Sequence, residues 1–535
     1  MRIADYYHQI LEPANVAFSA LRRAGIMVDA TRLADTRRQW EAQLATLERY
    51  VEGEAAKRGL VIRFSDSHHL PDKQIEALLY SANGLAFPVT HKTPGGRPST
   101  DDEALARYAS IMNPRPDDHP VVTAILKIRS LSKAIGTYLD SFARTRRADG
   151  ACHPKFNWTL RTPRISAEDP PVHQIPERAD REVADGIKSC LVPRVNPAQA
   201  VDDWNPRVHG SCLRWDISGA EAAIRAAMLP ALFCARPDPV AWEYMRHGKD
   251  IHSKTASLIY RVPEGTYAKG SIERDAVGKQ TFFTKIYGAS WRTVQRHIAA
   301  KARIWLSDHD AQNVSTGFDD GYPTLLELYE LDKRMLGERG FCEDGYGRRR
   351  WVGVPDGVKY DGVDSNGRTK WRVLVTDNEA KKALWSNMEH RFHIMANTPT
   401  QGMSATDAFW MIALAYHGEY VDLAVPPMWE RRGLLFPEAA DWTLHEGDGP
   451  GGKPFRAWHV NSVHDSGWLD CAPGYVEPLA KLLVRRCTAL PFDWRLKADV
   501  PYRIDLSVGP DFAHLYDYDT VAKRFGLEPI MHLLK

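Results

Sequence analysis

Apolar residues recur at helical spacing over most of residues 3–60, and a Gly25-Ile-Met-Val-Asp29 break divides them into two amphipathic stretches. Residues 64–110 alternate short helical patterns with a loop at Thr93-Pro-Gly-Gly-Arg-Pro98. The spacing predicts a long helix over 118–147. The polar, proline-broken stretch 155–176 needs partners outside itself to hold it. An apolar strand ends at Asp216 and an Ala-rich helix follows, with Ser218-Gly-Ala-Glu221 fitting a capping box. Residues 289–345 are mostly helical, and two strand-like runs flank Asp364-Ser-Asn-Gly367, a hairpin signal within 352–388. The stretch 397–417 opens with a proline and becomes an apolar helix. Residues 424–456, rich in Pro and Gly, read as a surface loop, and 457–470 as strand, tight turn, strand. No internal repeat or low-complexity tract is present.

Chemistry concentrates first in Glu273–Gly288, a helical pattern ending on a glycine suited to a C-cap. Lys279, Phe283 and Tyr287 fall at i, i+4 and i+8, so a cation, an apolar ring and a phenol share one face. Such a face can hold a phosphate and cover a base or sugar; an amphipathic helix with core aromatics and a solvated lysine accounts for the same pattern. In the long helix, Arg129 and Lys133 share a face suited to tracking a phosphate backbone, or simply a solvated one. His464-Asp465-Ser466 is not a hydrolase triad, because consecutive residues in extended chain point to alternating sides and no Gly-x-Ser-x-Gly elbow surrounds the serine. Asp216 and Asp465 both stand at strand ends, and paired carboxylates can bridge two Mg²⁺ ions about 3.5–4 Å apart for phosphoryl transfer.

Composition adds limits. A chain of 535 residues is long enough for several packed subdomains. Lys plus Arg (70) nearly balances Asp plus Glu (68), so any polyanion site must be a local groove. Seven cysteines without a Cys-x-x-Cys pair indicate neither a zinc site nor a disulfide framework. The first residues do not form a signal peptide, and no apolar run approaches the ~20 residues of a membrane span, so a cytoplasmic, membrane-free protein is expected.

The order of these motifs resembles the family A, DNA polymerase I-type, DNA polymerases. Asp216-Ile-Ser-Gly-Ala-Glu221 is similar to that family's motif A, Lys279-x3-Phe283-x3-Tyr287-Gly288 to motif B, and Val463-His-Asp-Ser466 to motif C. Thr162-Pro-Arg164-Ile-Ser with Gln174-Ile-Pro176, Asp250-Ile-His252-x2-Thr255, Gly347-Arg-Arg-Arg350 and Asn397-x-Pro-x-Gln401-Gly also have counterparts, as do Gly25-Ile-x-Val-Asp29 and Ser99-Thr-Asp101. The resemblance covers nearly the whole chain in the family's order. It implies an α+β right-hand fold: an N-terminal helical segment (1–60) leading into the palm, a thumb (61–150), a first palm part (151–221), fingers (222–388, with 352–388 an insertion) and a second palm part (389–535).

By that resemblance the chain is a template-directed DNA polymerase adding dNTPs to a primer 3′-OH. Asp216 and Asp465, with the Ile217 carbonyl, would hold two Mg²⁺ ions, with Mn²⁺ as a substitute. Lys279 and His252 would contact the triphosphate, Lys279 also as proton donor to the leaving group. Phe283 would lie against sugar and base, Tyr287 would close the insertion pocket, and Glu221, bonded to Tyr287, would exclude a ribose 2′-OH. Arg164, Gln174, Gln401 and His464 would meet the primer–template minor groove, where acceptors look alike for all correct pairs. Arg129 and Lys133 would grip the duplex.

Three departures stand out. Arg274 lies five residues before Lys279, where the family's arginine lies four before, so in an unbroken α-helix it would face away from Phe283. A local bulge, a later helix start or a substitute cation would each resolve this. Ser466 replaces the family's second motif C carboxylate, and Gly219 replaces a glutamine. The palm-like segment starts almost at residue 1, so no 3′–5′ exonuclease domain of about 100–200 residues is expected. A bacteriophage or mobile-element enzyme in a bacterial or infected cell, aided by a separate processivity or proofreading protein, fits that picture. A single-subunit RNA polymerase and a polymerase-like DNA-binding protein with weakened catalysis are the alternatives.

Overall fold

The computed structural model describes residues 11–89, 91–93, 95–109, 115–157, 164–176, 180–217, 219–234, 236–302, 304, 306–417, 457–463, 465–487 and 503–530. The helix Glu12–Ala24 stops at Gly25 (φ 66°), where a Cβ would sit 2.9 Å from the Cys152 carbonyl oxygen. That close approach lets β1 (Ile26–Met27) pair antiparallel with β2 (Ala151–Cys152). Asp29 then caps the helix Ala30–Ala56 by accepting from the Thr31 and Arg32 amides. Trp40, Leu44 and Val51 of this helix share one core with Leu78, Ile125 and Leu131. The helix expected over 118–147 runs as Pro120–Ala134, a π-helical turn Ile135–Leu139 and Asp140–Thr145. The proline-broken stretch contains a short hairpin, β3 (Lys155–Asn157) with β4 (Ser166–Glu168), held by Phe156 packing edge-on against Phe18 at 5.1 Å.

β5 (Ser211–Ile217) leads through Gly219, in the left-handed region, into the short helix Ala220–Ala223. Ser218, one half of the capping box expected there, lies outside the described residues, and the carboxylate of the other half, Glu221, is engaged by Arg164 and Tyr287. Helices Ile251–Tyr260, Lys279–Lys285, Trp291–Ala302, Asp308–Gly321 and Pro323–Arg339 follow. Next come two hairpins, β6 (Phe341–Glu343) with β7 (Arg349–Trp351), and β8 (Val358–Val363) with β9 (Thr369–Val373). The second is the one signalled at Asp364-Ser-Asn-Gly367. Its inner residues reach the flanking helices, Tyr360 lying where a Gly337 side chain would be and Trp371 meeting Phe392 at 5.4 Å.

The helix expected to open at Pro399 in fact spans Asn378–His417 with the proline inside it. Met388, Phe392 and Met395 bury one side of its first half, and that packing outweighs the backbone donor lost at Pro399. Residues 424–456 lie outside the described residues.

β10 (Ala457–Val463), β11 (Ser466–Cys471), β12 (Ile504–Gly509) and β13 (Tyr516–Asp517) complete a five-stranded antiparallel sheet in the order β10-β11-β5-β12-β13. Alternation sends Leu213, Trp215, Ile217, Leu469, Leu506 and Val508 to one side, where they pack on Ile224, Leu479 and Leu483. Each such buried side chain contributes about 1.5–3 kcal/mol. On the opposite side Cys212 and Trp468 join the other core, Trp468 stacking on Phe512 at 4.7 Å. Arg214 and Asp216, also on that side, stay half-buried at the strand end. The sheet thus presents one polar end, with packed cores on both of its faces.

Candidate active site

The tight turn between β10 and β11 returns the chain beside the end of β5. Ser466 stands directly opposite Asp216, and the Ile217 amide donates to the Asp465 carbonyl at 3.0 Å. Asp216 and Asp465, about 250 positions apart in the chain, are therefore neighbours in space. Burial, and after it the Asp216 charge, pushes the Asp465 carboxyl up to about 7. Two carboxylates forced together in this way form a donor set that suits a hard divalent cation. Among the described residues no group of three or more His, Cys, Asp or Glu converges on a metal position. Ser466 supplies no carboxylate here, and its hydroxyl donates to the Val463 carbonyl at 2.9 Å and closes the turn. His464 lies outside the described residues, as do Thr162, Pro163 and Ser218.

Glu221 links the strand end to the Lys279 helix. Its Oε2 accepts from the Tyr287 hydroxyl at 2.6 Å, and its Oε1 from Arg164. Burial, reinforced by the Glu221 charge, holds the Tyr287 phenol far above its ordinary range. Tyr287 is fixed on its other side as well, its carbonyl meeting His393 Nδ1 at 3.1 Å.

Upstream, Glu273–Gly278 is π-helical, and the Lys279 amide donates to the Arg274 carbonyl. This i→i+5 bond stacks Arg274 and Lys279 in successive turns despite their five-residue separation, so the bulge alternative is the one observed. Arg274 is buried and donates twice to Asp250, at 2.9 and 3.0 Å, and once to Asp275. Asp250 also caps the helix that carries His252. His252 packs against Phe283 at 5.2 Å and Phe282 at 5.5 Å. Burial, then the Arg274 and Lys279 cations, depresses its imidazole to about 3, so it is neutral in this state. Its Nδ1 is buried without a hydrogen-bond partner. Lys279, Arg274, His252 and Phe283 thus form one cluster, and the Tyr287–Glu221 bond joins the C-terminal end of the helix bearing Lys279 and Phe283 to the strand end that carries Asp216.

The remaining candidates surround this centre at different removes. Gln174 ends a short 3₁₀ turn and is exposed; the adjacent His173 reaches Asn461 on β10 at 3.2 Å. Gln401 is half-buried on the Asn378–His417 helix, one turn beyond Thr398, which accepts from Arg350 at 2.8 Å. Arg129 donates to the Thr100 carbonyl and to Asp102, at 2.7 and 3.0 Å, while Lys133 is exposed. Two residues of the centre escaped the sequence reading. Arg214 lies on the same side of β5 as Asp216 and donates to it at 2.7 Å. Asp505 on β12 stands directly opposite Asp216 and is exposed. Period-two alternation would have flagged Arg214; no local signal marks Asp505, because register across strands is a tertiary property.

This architecture is found in a nucleic-acid polymerase. The chain shares the fold of the polymerase domain of Pol1 from M. smegmatis, solved in complex with DNA primer-template and dNTP, with a TM-score of 0.66 and 19% identity over 94% of this chain and 70% of that one. It is the right-hand polymerase fold, with the five-stranded antiparallel sheet as its palm. Similar curated proteins include the thermostable DNA polymerase I of Thermus thermophilus, 26% identical over 355 residues (66% of this chain, 37% of that protein). The DNA polymerase I of Deinococcus radiodurans is 24% identical over 353 residues (65% and 32%). The chain therefore spans about a third of the length of these relatives. A model of DNA polymerase family A matches residues 31–514, and the chain belongs to that family. Among the described residues no helix is long and apolar enough to cross a membrane.

Proposed function

We propose that the chain is a DNA-directed DNA polymerase that adds dNTPs to a primer 3′-OH on a template. The observation that carries this reading is the convergence of Asp216 and Asp465 at one end of the sheet, tied through Glu221 and Tyr287 to the helix bearing Lys279. The Ile217 carbonyl would complete the ligand set for divalent ions, Mg²⁺ or Mn²⁺. When bound, such ions supply acidification of the primer hydroxyl and neutralisation of charge on the departing pyrophosphate. The protein's own contribution is position and charge. Lys279 would meet the triphosphate and hand a proton to the leaving group. His252 would sit beside the triphosphate, and the anion's arrival would offset the two cations that, after burial, help hold its imidazole neutral. Arg274, clamped to Asp250, would set the wall behind them.

Phe283 would cover the incoming sugar and base, and Tyr287 would close the pocket. Glu221, fixed by two hydrogen bonds, would stand where a ribose 2′-OH would need to fit. Arg164, Gln174, Gln401 and His464 would face the minor groove, and Arg129 and Lys133 the duplex held by a thumb built on the Pro120–Ala134 helix. The weakened-catalysis alternative draws on the Arg214–Asp216 contact and on the role of Ser466 in the turn.

One experiment decides among the readings: extension of a labelled primer on a template with Mg²⁺ and either dNTPs or NTPs. Extension with dNTPs alone is expected. Equal use of NTPs would overturn the role of Glu221, and no extension with either would leave only DNA binding. A 3′-mismatched primer without nucleotides, on the same gel, tests for 3′–5′ exonuclease activity.

A further inference from the structure

Arg214 stands two residues before Asp216 on β5, so strand alternation places both side chains on one side of the sheet. Arg214 Nη2 donates to Asp216 Oδ2 at 2.7 Å, with 23% of the arginine side chain and 35% of the aspartate side chain exposed. Neighbouring strands set Ser466 and Asp505 beside Asp216, and Trp468 and Ser507 beside Arg214. Of these neighbours only Asp505, which is exposed, carries charge, and the nearby Arg164 is engaged by Glu221. The Arg214 guanidinium therefore rests against one of the two carboxylates that the proposed function assigns to divalent ions. An oxygen held in a charge-assisted hydrogen bond presents less of its charge to a metal ion, and a fixed positive group beside it repels that ion.

We infer that Arg214 is a displaceable counter-ion of Asp216. In the DNA-free protein it occupies the carboxylate. For a divalent cation to bind, the guanidinium must turn away from Asp216, and an incoming anion can then receive it. If the 3′-OH of a primer is to meet Asp216 and Asp465, the last phosphodiester of that primer comes to the same exposed edge, and a planar guanidinium suits a phosphate well. Arg214 thus couples two binding events. Primer terminus and metal ion each favour the other by a common factor, because each is served by the same movement of one side chain. The identity of the anion rests on the proposed function; the competition between Arg214 and a cation for Asp216 does not.

The test is Mn²⁺ binding to the full chain, followed by electron paramagnetic resonance of the free ion, with and without a primer–template whose primer ends in a dideoxynucleotide. The variants are Arg214→Gln, Arg214→Lys and, as a control for the site, Asp216→Asn; thermal melts establish that each is folded. Without DNA, Arg214→Gln is expected to bind Mn²⁺ about five- to tenfold more tightly than the unmodified chain, the size of one charge-assisted bond discounted for exposure. Arg214→Lys, which keeps the charge, is expected within about twofold of the unmodified chain. Adding DNA should tighten Mn²⁺ binding to the unmodified chain by a similar factor and to Arg214→Gln far less. Equal DNA-free affinities for the unmodified chain and Arg214→Gln would overturn the inference. So would equal tightening by DNA, or the lack of any Asp216-dependent Mn²⁺ site. Primer extension is scored separately: linkage without extension would remove the polymerase reading and keep the counter-ion.

Discussion

Asp465→Asn should stabilise the metal-free protein, and increasingly so as pH rises. Burial and the adjacent Asp216 charge push the Asp465 carboxyl from its ordinary 3.8 up to about 7. In the unfolded chain this group loses its proton near the ordinary value, but in the folded chain only near 7. Between those points the folded state holds the extra proton, so stability falls as pH rises through the window. Above pH 5 about two units of the window remain, a ceiling of ~2.7 kcal/mol at 1.36 kcal/mol per unit. Water reaching the half-exposed Asp216 screens part of the repulsion, and about 1–2 kcal/mol is the expected measurable effect. Asparagine carries no titrating proton, so the variant lacks this loss. His252, whose depressed imidazole gives the opposite slope, is present in both proteins and cancels in the difference. Urea denaturation in EDTA at pH 5 and pH 8 measures that difference directly. The advantage of Asp465→Asn should widen by the stated amount, and Mg²⁺ at pH 8 should stabilise the unmodified chain selectively. An advantage that does not change between the two pH values would show that Asp465 is not held protonated by burial and the Asp216 charge, and would refute this reasoning.

With Mg²⁺ present, Asp216→Asn is expected to leave primer–template affinity within about twofold while stopping nucleotide addition; persistent extension on a gel would remove the metal role of that residue. Glu221→Ala releases Tyr287 and Arg164 and opens the pocket, so the ratio of kcat/KM for NTPs to that for dNTPs should rise by about tenfold or more. An unchanged ratio would place sugar selection elsewhere. Asp332→Ala leaves Arg225, whose side chain is 1% exposed and also donates to the Ile286 carbonyl at 2.8 Å, buried without its counter-charge. The expected loss is about 3–5 kcal/mol in urea denaturation, and a loss under about 1 kcal/mol would mean that the pair opens to water.

The residue pattern disclosed the switch from strand to helix after Asp216, because an apolar extended run meets an Ala-rich stretch there and the change of period is local. The hairpin at Asp364–Gly367 was legible for the same reason: Asp364 accepts from the Asn366 and Arg368 amides, and Gly367 takes φ 76°. The Glu221–Tyr287 bond came from the resemblance and is present. What escaped were features set by tertiary context. Pro399 looked like a helix start, yet Met388, Phe392 and Met395 carry the helix through it. Glu221 looked like half of a capping box, yet Arg164 and Tyr287, distant in sequence, recruit its carboxylate. Arg274 looked misdirected because residue counting assumes 3.6 residues per turn, and the backbone there does not keep that pitch.

The wide turn at Glu273–Gly278 shows that a helix can absorb one surplus residue and still aim the side chains on both sides of it correctly. Removing Ala276 should let the segment rewind to ordinary pitch with Arg274 still above Lys279. Removing a residue from Lys279–Lys285, where no slack exists, would swing everything beyond it by about 100° and carry Tyr287 away from Glu221. A change of length is therefore expected to be tolerated at the start of this helix and not further along, and counting residues back from Lys279 at ordinary helical pitch misplaces Arg274 by one position.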